Sequence, residues 1–405
     1  MLVTSALLTC LLLNKKLITF AMEYNELNME NPFVFGMATY GKWFTDREED
    51  VKRLSLNFVN GINTILISPR RWGKTSLVLK IAQQISNKNL KVVNLDIFSC
   101  RSQEDFYRIF ATEIIRQTSN KWEEWFENAQ KFLSNFSPTI SIGANPVTDF
   151  SVSFSVSKKS VLNDDILNLP LKIALKKGIK IVICIDEFQQ IAEFSDHKNF
   201  QKKLRTVWQL QAQHVSYCLY GSKKRLMYTL FSSQSMPFYK FGDVYFLQKI
   251  PMDYWISFIQ QRFDETGKSI SSDLAKKICE TVENHSSYVQ QLSWLVWTKA
   301  EREATEADFN DAFSDLLNQN SILYHKYIEE LTALQINFLH AVSDGIHDRF
   351  SRREITSKYK LVTSANISRL KKSLENKELI DISPKMITFN DPIFCIWFKK
   401  SVPML

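Results

Sequence analysis

The apolar positions of the chain fall into short dense runs, separated by stretches with a period of three to four residues. Thr64–Ile67 is an apolar, β-prone run that ends in a turn. Gly73-Lys74-Thr75 then opens a helical pattern through Leu77, Val78 and Ile81. Leu90–Phe98 reads as a second strand, and residues 103–134 as a helix with Phe106, Phe110, Ile114 and Ile115 on one face. Ile179–Ile185 is almost continuously apolar, as expected of a strand covered on both faces. Val215–Ser222 and Val244–Ile250 supply two more strands. Strands alternating with helices predict an α/β fold, with a mainly parallel five-stranded sheet and right-handed crossovers. Ligands of such sheets bind at the C-terminal edge of the strands.

Before the first strand, Val51–Asn60 is amphipathic, and Thr45 or Asp46 is placed to cap it. Trp122, Trp125 and Phe126 extend the apolar surface of the long helix. Between the second and third strands, residues 137–160 alternate apolar and small polar residues around Gly143, Asn145 and Pro146, which predicts a hairpin insert. Its role reads equally as sheet edge or as docking element. Residues 251–323 carry a helical pattern and read as a lid. Beyond them come helices over Leu331–Val342, Arg353–Lys358 and Ser364–Asn376, then a strand-like tail, Leu379–Phe389. Three helices and a wing predict a winged-helix domain over 324–405, with Ser364 capping a recognition helix that carries Arg369, Lys371 and Lys372.

Composition narrows this picture only slightly. The 405 residues are 45% hydrophobic and 23% charged, which is ordinary for a globular chain of two or three domains. The net charge of +8 permits an acidic partner without requiring one. Residues 326–405 hold 13 Lys/Arg and 9 Asp/Glu, a mild excess of +4. That is compatible with DNA or with a protein partner. The six cysteines include no C-x-x-C pair, and neither they nor the histidines cluster, so buried thiols in a reducing cytoplasmic setting are expected rather than zinc. Ala6–Leu13 is apolar but too short to span a bilayer and has no basic segment before it. Residues 1–30 are therefore expected to be an upstream extension or a misassigned start, outside the fold. A signal or anchor is the alternative, and no membrane association is expected of the remainder.

The chemistry lies at the ends of the strands. Ser68-Pro69-Arg70-Arg71-Trp72-Gly73-Lys74-Thr75-Ser76 approximates the phosphate-loop pattern G-x-x-x-x-G-K-[ST], with Ser68 in place of the first glycine. Backbone N–H groups at a helix start, together with the helix dipole, favour an anion there. Lys74 would reach the β- and γ-phosphates, and Thr75 would offer its hydroxyl to Mg²⁺. The buried strand ends in Asp186 and Glu187. An acidic pair in that place is costly unless a metal or hydrogen bonds compensate it. Asp186 would share the Mg²⁺ shell and Glu187 would polarise an attacking water. Gly221-Ser222 ends another strand, where Ser222 could sense the γ-phosphate or the water.

These motifs resemble those of the archaeal-type ATPase family, P-loop ATPases of the STAND branch related to AAA+ proteins. The resemblance covers about Asn31 to Phe398. It rests on Phe44-Thr-Asp-Arg-Glu48, Ser68–Ser76, Ile185-Asp-Glu-Phe-Gln189, Tyr220-Gly-Ser222, His285–Leu292 and Phe389–Phe398. It implies an ATPase core over 31–250, a helical lid over 251–323 and a winged helix over 324–405. It implies ATP held by residues 68–76 and Asp186, Mg²⁺ at Thr75 and Asp186, and catalysis by Glu187, Lys74 and Ser222. The family's Gly-x-Pro or His-Pro near the lid is replaced by His285-Ser286-Ser287. The leading expectation is a slow ATPase that works as a nucleotide-dependent switch. The alternatives are a DNA-binding winged-helix protein, or a protein scaffold, with a degenerate ATPase core.

Overall fold

The computed structural model describes residues 31–119, 124, 127–128, 138–141, 151–154, 164–361, 364–383 and 386–404. The expected extension over 1–30, the residues Trp122, Trp125 and Phe126, and most of the 137–160 insert lie outside the described residues. The chain divides into two compact units, residues 38–250 with 327–405, and residues up to 37 with 251–326.

The larger unit is built on a five-stranded parallel sheet of order β2-β5-β6-β1-β7. Its strands are β1 (Thr64–Ile67), β2 (Leu90–Asp96), β5 (Lys180–Asp186), β6 (Val215–Gly221) and β7 (Asp243–Phe246). Successive side chains of a strand point to opposite faces, and here both faces are covered. Ile65, Ile67, Ile183 and Leu219 pack among Phe106, Phe110, Ile173 and Trp208. Those partners belong to α3 (Gln103–Thr118), α4 (Leu169–Lys177) and α5 (His197–Leu210). On the other face Leu66, Val182, Cys184 and Tyr220 meet Leu54 and Phe58 of α1 (Glu48–Val59) and Leu77, Val78 and Ile81 of α2 (Lys74–Ile85). Cys100, Cys184, Cys218 and Cys279 are buried free thiols.

Two local expectations are corrected. Helix α1 is capped by neither Thr45 nor Asp46; its N-cap is Arg47, at φ 76°, with no side-chain cap bond. Asp46 and Arg47 both adopt left-handed backbone, which sends the Arg47 side chain inward. The fifth strand is also shorter than its apolar run, ending at Phe246. The alternating insert contributes an antiparallel pair, β3 (Pro138–Ser141) and β4 (Ser151–Phe154). It is fastened to α3 by a bond from Val152 N to Thr112 Oγ1, 3.1 Å.

The same unit holds the C-terminal helix-turn-helix and wing. Helix α11 (Ala333–Ser343) starts at a reciprocal capping box between Thr332 and Gln335. It is followed by α12 (Arg353–Lys358), α13 (Ser364–Asn376) and the antiparallel wing strands β8 (Ile380–Ile382) and β9 (Ile387–Phe389). The sequence pattern did not show a last helix, α14 (Pro392–Ser401), whose Asp391 cap accepts from the N–H groups of Ile393 and Phe394.

The smaller unit is helical, with α7 (Met252–Asp264), α8 (Ser272–Thr281), α9 (Ser286–Lys299) and the start of α10 (Glu306–Glu329). Residues 31–37, expected with the ATPase core, group here instead. The ring of Phe33 sits 6.1 Å from Phe258 and 5.9 Å from Phe263, and Val34 N donates to Gln290 Oε1 at 2.9 Å. Helix α10 runs unbroken through the expected boundary at 323/324. Among the described residues no helix is long and apolar enough to cross a membrane.

Candidate functional site

Parallel pairing puts the C-terminal ends of β1, β5 and β6 side by side, with Ile67 opposite Gly221. The segments that follow these strands carry the candidate residues. After β1 the chain turns through Ser68–Trp72 into α2. Two residues of the turn are left-handed, Arg71 at φ 62° and Gly73 at φ 91°. Gly73 has open space where a Cβ would stand, so its role is conformational and leaves room for an anion to approach. Ser68 is not left-handed, so no glycine is required at the position where the phosphate-loop pattern has one.

Lys74 is the first residue of α2 and is buried. Its Nζ donates to the carbonyl oxygens of Ser68 at 3.0 Å and Pro69 at 2.9 Å, and lies 3.4 Å from Ser68 Oγ. Burial lowers its pKa to about 8; Asp186 and Glu187 oppose that shift, and Arg70 adds to it. Thr75 Oγ1 donates to Asp186 Oδ2 at 2.7 Å. Burial raises the Asp186 carboxyl to about 6, although the Thr75 hydroxyl and the Glu187 N–H both stabilise its charged form. Ser76 Oγ accepts from Thr39 N at 2.9 Å and so ties the incoming chain to α2.

Glu187 leaves β5 in a left-handed turn, at φ 53°. Its Oε2 accepts from Ser222 Oγ at 2.9 Å and from Gln189 Nε2. Arg70 Nε reaches Ser222 Oγ at 3.2 Å. Thr75, Asp186, Glu187, Ser222 and Arg70 therefore form one chain of hydrogen bonds, and Lys74 lies close enough for its charge to interact with Asp186 and Glu187. Trp72 stands with Lys249 Nζ 5.6 Å from its ring. Arg71 is exposed at its left-handed position in the turn.

Two further participants, Arg47 and Gln189, stand in segments that carry the family resemblance, Phe44–Glu48 and Ile185–Gln189, but have no individual role in the site expected from sequence. Arg47 is buried and holds the phosphate-loop turn from outside, donating to Trp72 O at 2.9 Å, Gln248 O at 2.7 Å and Asp50 Oδ2 at 3.1 Å. Its signal is the segment Phe44-Thr-Asp-Arg-Glu48, which is expected to belong to the nucleotide cleft. Gln189 is buried and orients Glu187; its signal in sequence is its place at the end of the Ile185-Asp-Glu-Phe-Gln189 segment, which by itself assigns it no role.

Of the basic residues on α13, Arg369 and Lys372 are exposed. Lys371 is drawn over the ring of Phe350, 4.7 Å away, and burial lowers its pKa. His285 precedes α9 and packs 4.8 Å from the Tyr288 ring. Among the described residues, no three His, Cys, Asp or Glu side chains gather as a metal-binding cluster.

A family model described as a probable winged helix domain matches residues 322–400. No curated protein sequence matches the chain. Among solved structures, the chain is similar to the Walker-type ATPase PABY2304 of Pyrococcus abyssi, with TM-score 0.66 at 16% identity, over 91% of this chain and 99% of that one. It is also similar to the Aeropyrum pernix ORC2 protein in its ADPNP–ADP complexes, with TM-score 0.57 at 13% identity, over 92% of this chain and 96% of that one. The fold is therefore that of a P-loop ATPase: a parallel α/β core, a helical segment and a C-terminal winged helix.

Proposed function

We propose that the chain binds ATP with magnesium and hydrolyses it slowly, as a nucleotide-dependent switch of the archaeal-type, STAND-branch ATPase family in the cytoplasm. The observation that carries this reading is the convergence of Lys74, Thr75, Asp186, Glu187 and Ser222 at adjoining strand ends. Residues 68–76 would cradle the phosphates. Lys74 would exchange the Ser68 and Pro69 carbonyls for phosphate oxygens, which restores a full charge partner to a desolvated ammonium. Thr75 and Asp186 are hard oxygen ligands already held together at 2.7 Å, and they suit Mg²⁺, which takes one or two protein oxygens and completes its shell with water and phosphate. When bound, the ion would neutralise phosphate charge. Glu187, steered by Ser222 and Gln189, would orient the attacking water. Differential contacts to ATP and ADP would supply the free energy for movement of the helical and winged-helix domains, taken as 251–323 and 324–405.

The test is ATP turnover and nucleotide affinity of the full chain. Glu187→Gln should lose turnover while keeping affinity, and Lys74→Ala should lose affinity. Equal turnover in wild type and Glu187→Gln would refute the role given to Glu187.

A second reading, DNA binding through the winged helix, is favoured by one observation. Arg349, Arg352, Arg353, Lys358, Lys360, Arg369 and Lys372 are exposed on the helix-turn-helix. Meanwhile Glu375 and Asp381 already pair with cations of the core. Binding of duplex DNA that weakens steeply with salt, and that Arg369→Ala/Lys372→Ala abolishes, would support it.

A further inference from the structure

Arg70 belongs to the phosphate-loop turn, yet its guanidinium faces the winged helix as well as the site. Its Nε lies 3.2 Å from Ser222 Oγ and 3.4 Å from Glu378 Oε2. Ser222 in turn donates to Glu187 at 2.9 Å. A single chain of contacts thus runs from the acidic end of β5, through one hydroxyl and one guanidinium, to the turn between α13 and β8.

Glu378 is held there by bonds that do not involve Arg70. Its backbone is left-handed at φ 57°, its N–H donates to Glu375 O at 3.0 Å, and its carbonyl accepts from Asn390 Nδ2 at 2.7 Å. Two neighbouring ion pairs fix the same edge to α6 (Lys224–Ser232), the helix that follows Ser222. Lys224 pairs with Asp381 at 2.7 Å, and Arg225 with Glu375 at 2.7 Å. Three carboxylates of the winged helix thus meet three cations of the core, and only Glu378 meets one that belongs to the phosphate loop.

We infer that Glu378 is a positioning residue for the nucleotide site: it holds Arg70 back from phosphate and so tilts the site towards diphosphate. The inference rests on the ATP-binding reading above. A terminal phosphate offers Arg70 a stronger and bidentate acceptor than one carboxylate oxygen. A triphosphate must therefore compete with Glu378 for the guanidinium, whereas a diphosphate, lacking the terminal group, leaves the pair intact. Linkage makes the effect mutual: whatever docking of the wing edge subtracts from triphosphate affinity, triphosphate subtracts from docking. The Arg70 and Glu378 side chains are 53% and 33% exposed. Pairs this open give a modest effect, so a shift of about two- to five-fold in affinity is expected.

The experiment measures affinities for ADP and the slowly hydrolysed analogue ADPNP in the full chain. Glu378→Gln should tighten ADPNP by about two- to five-fold and leave ADP unchanged. The same change made in Arg70→Ala should have no effect on either. Asp381→Asn, which removes a neighbouring ion pair without touching the phosphate loop, should leave the ratio of the two affinities at its wild-type value. An equal shift in Glu378→Gln and Asp381→Asn, or a Glu378→Gln effect that persists without Arg70, would overturn the inference. Wild type that binds both nucleotides with a ratio Glu378→Gln does not move would overturn it alone. Wild type that binds neither would overturn the ATP reading and this inference with it.

Discussion

The amide of Gln189 occupies the space that a side chain on Gly221 would need: its Oε1 lies 1.8 Å from where a Cβ of Gly221 would stand. Gly221 is not left-handed, so glycine is required at the end of β6 for space and not for backbone freedom. The same Gln189 amide donates to Glu187. Gly221→Ala should therefore displace Gln189 and leave Glu187 with Ser222 as its remaining side-chain donor. Overpacking of this kind costs about 1–3 kcal/mol. ATP turnover should fall while ADP affinity stays near wild type, because the phosphate loop is untouched. Adding Gln189→Ala should restore stability in thermal unfolding but not turnover. Recovery of both would show that Gln189 only fills space.

Arg47 bonds two backbone carbonyls from different segments, Trp72 and Gln248, while paired with Asp50. Removing a buried charged donor strands its acceptors. Arg47→Ala should cost about 2–4 kcal/mol in urea unfolding and weaken nucleotide binding through a loosened turn. Arg47→Lys should rescue little, since a single ammonium cannot reproduce the guanidinium fork.

Ser68 puts the geometry of the loop to a direct test. Its backbone is not left-handed, and its Oγ lies 3.4 Å from Lys74 Nζ. Ser68→Gly would bring the sequence closer to the phosphate-loop pattern but gain nothing in conformation. It should destabilise the fold by about 0.5–1 kcal/mol through added freedom of the unfolded chain. Nucleotide affinity should stay within about two-fold, because the Ser68 Oγ contact is the longest of the three Lys74 contacts and both carbonyl acceptors remain. A large gain in affinity would mean that serine is a handicap in this turn.

The five strands and their parallel direction were legible because burial on both faces leaves continuous apolar runs, as in Ile181–Ile185, and because the Ser68–Ser76 turn and Asp186-Glu187 follow two of them; the spatial order of the strands was not legible. Long-range partners were not legible. Arg47 stands in a segment expected at the nucleotide cleft, but its bond to Trp72 O depends on two left-handed residues that the sequence does not mark. Gln189 and Gly221 are 32 residues apart by their numbers, and only the adjacency of β5 and β6 makes one require the other. Glu378 carries no local mark at all, since its partner lies in the phosphate loop. The grouping of residues 31–37 with Phe258 and Phe263 was not legible, because an aromatic segment does not disclose which core its rings enter.

The pair Asp391-Pro392 starts the last helix. Asp391 caps α14, accepting at 2.9 Å from Ile393 N and 3.1 Å from Phe394 N, and Pro392 occupies the first turn, where its missing N–H is harmless. Asp391→Ala should lose about 1 kcal/mol of stability. Turnover and nucleotide affinity per folded molecule should be unchanged, and Asp391→Asn or Asp391→Ser should restore most of the loss. A fall in affinity beyond the loss of folded protein would give Asp391 a part in the site.

Under the proposed function, magnesium dependence should separate Asp186, the last residue of β5, from Glu187, which follows it. Asp186 accepts the Thr75 hydroxyl at 2.7 Å, whereas Glu187 accepts from Ser222 and Gln189. Their carboxylates are thus held by different partners. Chelation of magnesium should weaken ATP binding to wild type and leave metal-free ADP binding less affected, because the ion bridges the outer phosphates. Asp186→Asn should make nucleotide affinity insensitive to magnesium, since an amide oxygen is a weaker ligand for a hard cation. Thr75→Ala should act in the same direction. Glu187→Gln should keep the full magnesium effect on affinity while losing turnover. Titrating nucleotide affinity against magnesium for the three variants checks the division, and a magnesium effect surviving in Asp186→Asn but lost in Glu187→Gln would exchange the two roles.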